Sequence, residues 1–458
     1  MVTPVAITET HLKYRGTLNA RTATHDATEI ERDALVTALH IVLALALLSL
    51  FTPIKAHLGP FRLRPFDVLT GVLFIGVLLR ISRLPAPRTW IGLFTMLPYL
   101  TWHATSAYLY YFENGLRETL QVLIVILFSA SLTSLLPVLN YRRLGMMLLA
   151  GMAAITAYNA GYHISHGFWT GWKRLDDLKF TFEFLPPVLG FVILFASRRA
   201  RYGWWLAWAV FGIVLLMSGE RKAVIEYGIL SAALFAGRRV ALAVPIFAVL
   251  ALSIYLAGNS LKSGYLGEQF QSIARLGDNP HDNFDMIVRG AGPTSLSNAQ
   301  RIFAFHVGSQ MLRGHWVFGV GTNAYQDRVN EQFSFLPGYL LLGIHGEFWD
   351  ILVQNGVFGL ALYLIVWIVG GSRLSTTLWH LSKDGAIESF KAPVVWILII
   401  IPAVLFVGFE AAGTHAFVTL LLVSLSPEIV RYGLRGHAAL ATRSRTDSSY
   451  PHAMRTSS

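Results

Sequence analysis

The chain of 458 residues contains no cysteine, and only 14% of it is Asp, Glu, Lys or Arg. The absence of cysteine excludes a disulfide scaffold. A soluble domain usually carries about 25% charged residues. The shortage here accompanies 54% hydrophobic residues and a mean hydropathy of +0.51, which excludes a disordered chain and most soluble enzymes. Also missing are a Ser-His-Asp signature, zinc-type spacing, a P-loop, a heptad run and a soluble-type repeat. Acidic residues are the scarcer sign, 26 against 37 basic ones, for a formal net charge of +11. In a soluble protein that excess suggests nucleic acid. In a membrane protein, basic residues on cytoplasmic loops account for it.

Long apolar runs are what the chain has in abundance. About twelve stretches lie near 34–53, 66–80, 89–107, 116–137, 143–161, 184–197, 203–218, 222–237, 239–257, 348–370, 393–409 and 411–426. Crossing ~30 Å of hydrocarbon takes about 20 apolar residues, so the sixth to eighth are short for the task. Residues 1–33 are polar and mixed in charge, unlike a cleavable signal. The basic residues of the short loops set orientation. One set of loops carries Arg80, Arg83, Arg88, Arg142, Arg143, Arg198, Arg199, Arg201, Arg238, Arg239, Arg373, Lys383 and Lys391. Placing that set inside puts both termini inside. The opposite set carries Lys55, Arg62, Arg64, Lys173, Arg174, Lys179, Arg221 and Lys222.

The fold class read from this pattern is all-α: a polytopic membrane protein with about 12 transmembrane helices and a helical outer loop domain. Residues 1–33 form a cytoplasmic N-terminal segment, 34–257 hold helices one to nine, 258–347 form the outer domain and 348–426 hold helices ten to twelve. Residues 427–458 are expected to be a cytoplasmic, disordered tail. The outer segment 258–344 is charge-balanced, with six Lys or Arg and six Asp or Glu. Phe303, Phe305, Trp316, Phe318, Tyr325 and Phe333 give it apolar residues with which to fold against the membrane helices.

Three constellations can carry chemistry. The first is the turn Ser218-Gly219-Glu220-Arg221-Lys222 between two apolar runs. Arg221 offers a planar fork for phosphate and Lys222 a point charge; a solvated Glu–Arg surface pair is the plainer alternative. The second is Ser297-Asn298-Ala299-Gln300-Arg301, where Ser297 and Gln300 have capping-box spacing for a helix start. Ile302, Phe305 and Leu312, with Phe303, Val307 and Met311 beside them, suggest its buried stripe. Arg301 in the first turn opposes the helix dipole unless an anion is shared. Lys173-Arg174 is a weaker candidate of the same kind. The third is His345-Gly346-Glu347-Phe348-Trp349-Asp350, running into Gln354-Asn355-Gly356. His345 at a water interface can accept a proton near neutral pH, with Glu347 or Asp350 orienting it or acting instead. An interfacial His beside a belt Trp and packing glycines is the alternative. His281-Asp282-Asn283-Phe284-Asp285 lacks calcium-loop spacing, and Gly319-Val320-Gly321 reads as a turn. Glu410 and His415 fall at the turn between the last two spans.

In order and spacing these segments resemble the O-antigen ligase and O-antigen polymerase superfamily of bacterial membrane glycosyltransferases. Arg64-Pro65-Phe66-Asp67-Val68-Leu69 is similar to the start of the family's second span, and Ser218 to Arg221 to its Ser-x-Arg-type turn. Arg301 followed by Gly319-Val320-Gly321-Thr322-Asn323-Ala324-Tyr325 resembles the stretch before its catalytic end. His345, with Gly356 eleven positions on, resembles the ligase pattern. Gly346 departs from that pattern, since ligases usually have Asn, Ser or Gln there. His315-Trp316-Val317-Phe318 stands where many members have His-Pro.

The resemblance implies a GT-C-like, metal-independent enzyme of the bacterial inner membrane, with both termini cytoplasmic, a periplasmic active site and no cofactor. It implies a donor glycan on undecaprenyl diphosphate and, leaning to the ligases, a lipid A-core acceptor; the alternative is an O-antigen or exopolysaccharide polymerase with a glycan acceptor. Arg221 and Arg301 are the expected diphosphate clamp, with Arg174, Lys173 and Lys222 in support. His345 is the expected base and Glu347 a substrate-site carboxylate. The expected partners are those substrates and the lipid bilayer, not nucleic acid. A lipid-linked sugar transporter or flippase, and a non-catalytic envelope scaffold, are the competing classes. The uneven division of the chain by the outer loop speaks against two transporter-like halves.

Overall fold

A computed structural model describes residues 34–51, 56–58, 61–82, 84–85, 87, 90–165, 179–218, 221–236, 296–336, 343–344, 346–409 and 414–448. Its long elements are helices: α1 (Ala34–Ser49), α2 (Pro65–Leu78), α3 (Ile91–Tyr110), α4 (Phe112–Leu135), α5 (Tyr141–Ser165), α6 (Lys179–Phe195), α7 (Arg198–Ser218) and α8 (Arg221–Ala236). After the outer segment begins they continue as α9 (Leu296–Leu312), α10 (Ala324–Gln332), α11 (Glu347–Lys383), α12 (Lys391–Phe409) and α13 (Thr414–Ser448). A short antiparallel ribbon, β1 (Ala56–Leu58) with β2 (Phe61–Leu63), connects α1 to α2, pairing Ala56 with Leu63.

Apolar composition explains the helices. In lipid a backbone must satisfy its own hydrogen bonds, and a helix does so within one segment. Gly115–Val138, Glu347–Lys383, Lys391–Gly408 and Ala416–Leu434 are long and apolar enough to cross a membrane; Ala34–Ser49, Pro65–Leu78 and Glu183–Phe195 are shorter apolar helices. Local signals set the ends. Pro65 opens α2, and Asp67 accepts the Arg64 N–H at 2.7 Å. Tyr111, with φ −156° and ψ 131°, is both the end of α3 and the start of α4, a one-residue corner between antiparallel neighbours.

Of the twelve expected apolar stretches, eleven coincide with helices, and 239–257 lies outside the described residues. The tail was expected to begin at 427, inside α13. α13 continues through Pro427 to Ser448. Its extension is held by packing: Val430 is buried in a cluster with Leu374 and Leu378 of α11, and the Arg373 guanidinium donates to the buried Glu428 carboxylate. Two main cores result. One joins α1 to α4 with α11, α12 and α13, and the other joins α5 to α8 with α12.

A third, smaller core belongs to the outer segment. Phe303, Val307, Met311, Val320, Tyr325 and Val329 pack with Val353 of α11. The buried face of α9 is thus 303, 304, 307 and 311; Phe305, expected in the buried stripe, lies half exposed and stacks on Trp349 at 4.9 Å.

α11 is broken where it meets this core. Gly356 has φ 68° and ψ −173° in the middle of the helix. Unbroken, Val357 and Phe358 would donate to the carbonyls of Val353 and Gln354. Instead the Val357 N–H donates to Trp316 O at 2.9 Å and the Phe358 N–H to Val317 O at 3.0 Å. The freed carbonyls accept from Val320 N–H at 3.0 Å and Gly321 N–H at 2.8 Å. The turn over 316–321 therefore pairs two amides and two carbonyls on either side of the break. A Cβ on Gly356 would lie 2.2 Å from Val317 O, and one on Gly319 (φ +73°) 2.4 Å from Gln354 O. Gly356→Ala and Gly319→Ala are each expected to cost about 3 kcal/mol or more, read as a lowered melting temperature of the purified protein. A Gly356→Ala protein that melts like the parent would contradict the interlock.

Candidate functional site

Several helix ends converge at one end of the bundle. α12 makes the link through its last turn. The Lys222 ammonium, in the first turn of α8, lies 5.4 Å from the Phe406 ring centre. Two residues on, Gly408 offers its carbonyl to Gly346, so closely that a Cβ on Gly346 (φ +101°) would stand 2.7 Å from it. Gly346 immediately precedes α11 and follows position 345. One helix turn of α12 thus touches both segments that carry the expected chemistry, the start of α8 and the start of α11.

Lys222 is buried and paired with Glu183 of α6, Nζ to Oε1 at 2.6 Å. Glu226, one turn farther along α8, is wholly buried. Neither of its carboxyl oxygens has a hydrogen-bond partner among the described residues. Glu183 and Lys222 lie within its electrostatic reach.

The start of α11 rests on a second polar cluster. Glu347 is buried there, within electrostatic reach of Asp350 and Glu118. Glu118, in α4, accepts from three sides: His103 Nε2 at 3.0 Å, Arg117 Nε at 3.3 Å and Asn323 Nδ2 at 2.6 Å. The Asn323 N–H donates to the Gln354 side-chain oxygen Oε1, and Gln354 Nε2 donates to Asp350 Oδ1. Thr322 completes the joint. Its N–H donates to Ser106 Oγ at 3.2 Å, and its hydroxyl lies 3.0 Å from His103 O and 2.9 Å from Asn355 Oδ1. Asn323 occupies the left-handed region at φ 62°, which Asn tolerates better than most residues. Nearby, burial and then the Asp350 charge push the Tyr325 phenol up from its ordinary value. It therefore stays neutral.

The sequence-read candidates divide as follows. Lys222 and Glu347 are described and buried. Arg301 is half-buried in the second turn of α9. Arg221 is the first residue of α8, and its side chain lies outside the described residues. His345, Arg174 and Lys173 lie outside them altogether, as do the 281–285 loop and Glu410. Among the described residues, no group of three His, Asp or Glu side chains is set to hold a metal ion.

His103, Glu118, Glu183 and Glu226 escaped the sequence reading, and Asn323 was seen only as part of a motif. A usable signal existed for most of them. Ionisable residues within or beside apolar runs merit a functional default, and Glu118, Glu226 and His103 sit inside expected spans.

Residues 188–364 match the family model described as O-antigen ligase. The match supports the O-antigen ligase/polymerase superfamily and implies a membrane glycosyltransferase of ligase or polymerase type acting on lipid-linked glycans. No curated protein matches the chain.

Glu118 is the hub of the joint beneath α11. Replacing it by Ala strands the His103 ring and the Asn323 amide without an acceptor. We expect a loss of about 3 kcal/mol, measured as a shift in melting temperature; a shift no larger than that of an exposed control such as Glu113→Ala would refute the hub role.

Proposed function

We propose that the chain transfers a glycan from undecaprenyl diphosphate to an acceptor hydroxyl at the periplasmic face of the bacterial inner membrane, as an O-antigen ligase with lipid A-core as acceptor. The carrying observation is the family match over 188–364, which encloses Arg221, Lys222, Arg301, His345 and Glu347. In this reading about twelve helices span the membrane, both termini are cytoplasmic and 258–347 is the periplasmic domain.

The chemistry follows from charge. The acceptor oxygen bonds to the anomeric carbon as the bond from that carbon to the diphosphate oxygen breaks. The acceptor proton passes to the His345 imidazole, and the departing diphosphate gathers negative charge. Preorganised cations at that point lower the barrier, which is the role assigned to Arg221 and Arg301, with Lys173 and Arg174 farther out. Two contacts support bringing these residues together. The α12 turn that holds Lys222 through Phe406 also meets Gly346 through Gly408. On the other side, Phe305 stacks on Trp349 and Gly308 abuts Trp349 and Val353. Glu347, buried two positions after 345, is assigned the orienting of the imidazole.

One observation favours the polymerase alternative. Ligases carry Asn, Ser or Gln where this chain has Gly346. Here the backbone at 346 has φ +101° and presses on Gly408 O, a place no side chain fits.

The test is transfer by the purified full chain from an undecaprenyl diphosphate glycan to lipid A-core or, separately, to a second donor molecule. Product on lipid A-core supports the ligase, product on the second donor the polymerase, and none refutes the proposal. His345→Ala, Arg221→Ala and Arg301→Ala are each expected to lower transfer by about 10²- to 10³-fold at an unchanged melting temperature. Near-parental transfer by any of the three would remove that residue from its role.

A further inference from the structure

The start of α8 poses an electrostatic problem. Arg221 and Lys222 put two cations in the first turn of a helix, where the helix dipole already disfavours positive charge. For Lys222 the structure holds the answer. Its ammonium is buried against Glu183 Oε1 at 2.6 Å, over the Phe406 ring at 5.4 Å. The surroundings are aromatic: Phe184 packs on Phe406 at 5.0 Å and on Phe51 at 5.5 Å. Glu226 adds a second buried carboxyl within electrostatic reach of the same ammonium.

The ammonium is already matched by the buried Glu183 carboxylate. A phosphate would have to draw Lys222 out of this buried pair, and breaking a buried pair is strongly destabilising. Lys222 is therefore poorly placed to follow a ligand. It is well placed to fix its neighbour, because position 221 lies one peptide, about 3.8 Å, from the pinned residue. Consecutive helical positions also point about 100° apart, so positions 221 and 222 lie on different faces of α8.

We propose that Glu183 is a positioning residue for the donor diphosphate site: it holds Lys222 as a strut that sets Arg221, and Lys222 is not itself a phosphate ligand. This rests on the reading of Arg221 as a diphosphate ligand. It assigns α6, outside the outer loop, a part in donor recognition, and the strut reaches α12 through Phe406.

The test measures binding of undecaprenyl diphosphate to the purified full chain, together with its melting temperature. Lys222→Met and Glu183→Gln are each expected to weaken binding by roughly tenfold or more. The charge-swapped double variant Glu183→Lys/Lys222→Glu is expected to recover binding to within about threefold of the parent. If Lys222 were a phosphate ligand, the swapped protein, with a carboxylate at 222, would bind no better than Lys222→Met, and that result overturns the proposal. Should the swap not fold, Glu183→Gln alone decides. A phosphate-binding Lys222 released from Glu183 would bind as well as the parent or more tightly, whereas a lost strut weakens binding. Arg221→Ala separates the two proposals. Unchanged binding in that variant refutes the Arg221 reading, and loss there with intact binding in Glu183→Gln refutes only the strut.

Discussion

Four backbone hydrogen bonds hold the outer segment to the membrane helices. α11 gives up two of its own bonds at Gly356, and the turn over 316–321 supplies two donors and two acceptors in return. Non-helical backbone within an apolar helix is tolerated only where protein satisfies it. The break and the turn are therefore one feature and cannot be altered separately. Because Gly319 and Gly356 approach backbone to backbone, side-chain repacking cannot relieve a substitution at either. The break also separates the work of α11. Residues after Gly356, 27 of them to Lys383, extend about 40 Å, enough to cross a bilayer. The residues before it bear Glu347, Asp350, Gln354 and Asn355 and face the polar joint.

That joint rests on side chains far apart in the chain. Ser106 and Thr322 are 216 positions apart, and Glu118 and Asn323 are 205 apart. The second anchor, Glu183 with Lys222, ties α6 to α8. Between the two, the last turn of α12 touches both. The end of the bundle that carries the expected chemistry is thus braced by two buried polar clusters and one aromatic contact.

Most of the helices were legible because long apolar runs have few alternatives to a helix in lipid. Eleven runs coincide with helices, although α11 and α13 continue well past the ends of theirs. The far part of α13 was not legible: Pro427 and the polar composition beyond it read as an end, and the Arg373–Glu428 pair and the packing of Val430 come from a partner helix that local pattern does not reveal. The Gly356 break was half legible. Its spacing from His345 was visible as a motif, but the bonds that require a glycine there belong to a turn some forty residues earlier. The stripe on α9 was misread by one position because Ile302, Phe303 and Phe305 are all apolar, and only Trp349 across the interface sorts them. At the site, surface-type cations stood out by composition. The acids did not, because Glu118 and Glu226 fall within apolar runs and Glu183 at the edge of one.

The long reach of these contacts has a bearing on how the molecule is made. The outer turn needs Tyr110 and Ser106, which emerge early, and the carbonyls and amides of 353–358, which emerge late. Gly346 then needs Gly408, synthesised later still. Until α11 is in place, a nascent chain carries a turn over 316–321 whose backbone partners at 353–358 are missing. A truncation or ribosomal stall before residue 358 therefore yields more than a shortened protein. It leaves the amides and carbonyls of 316–321 without the partners that α11 supplies.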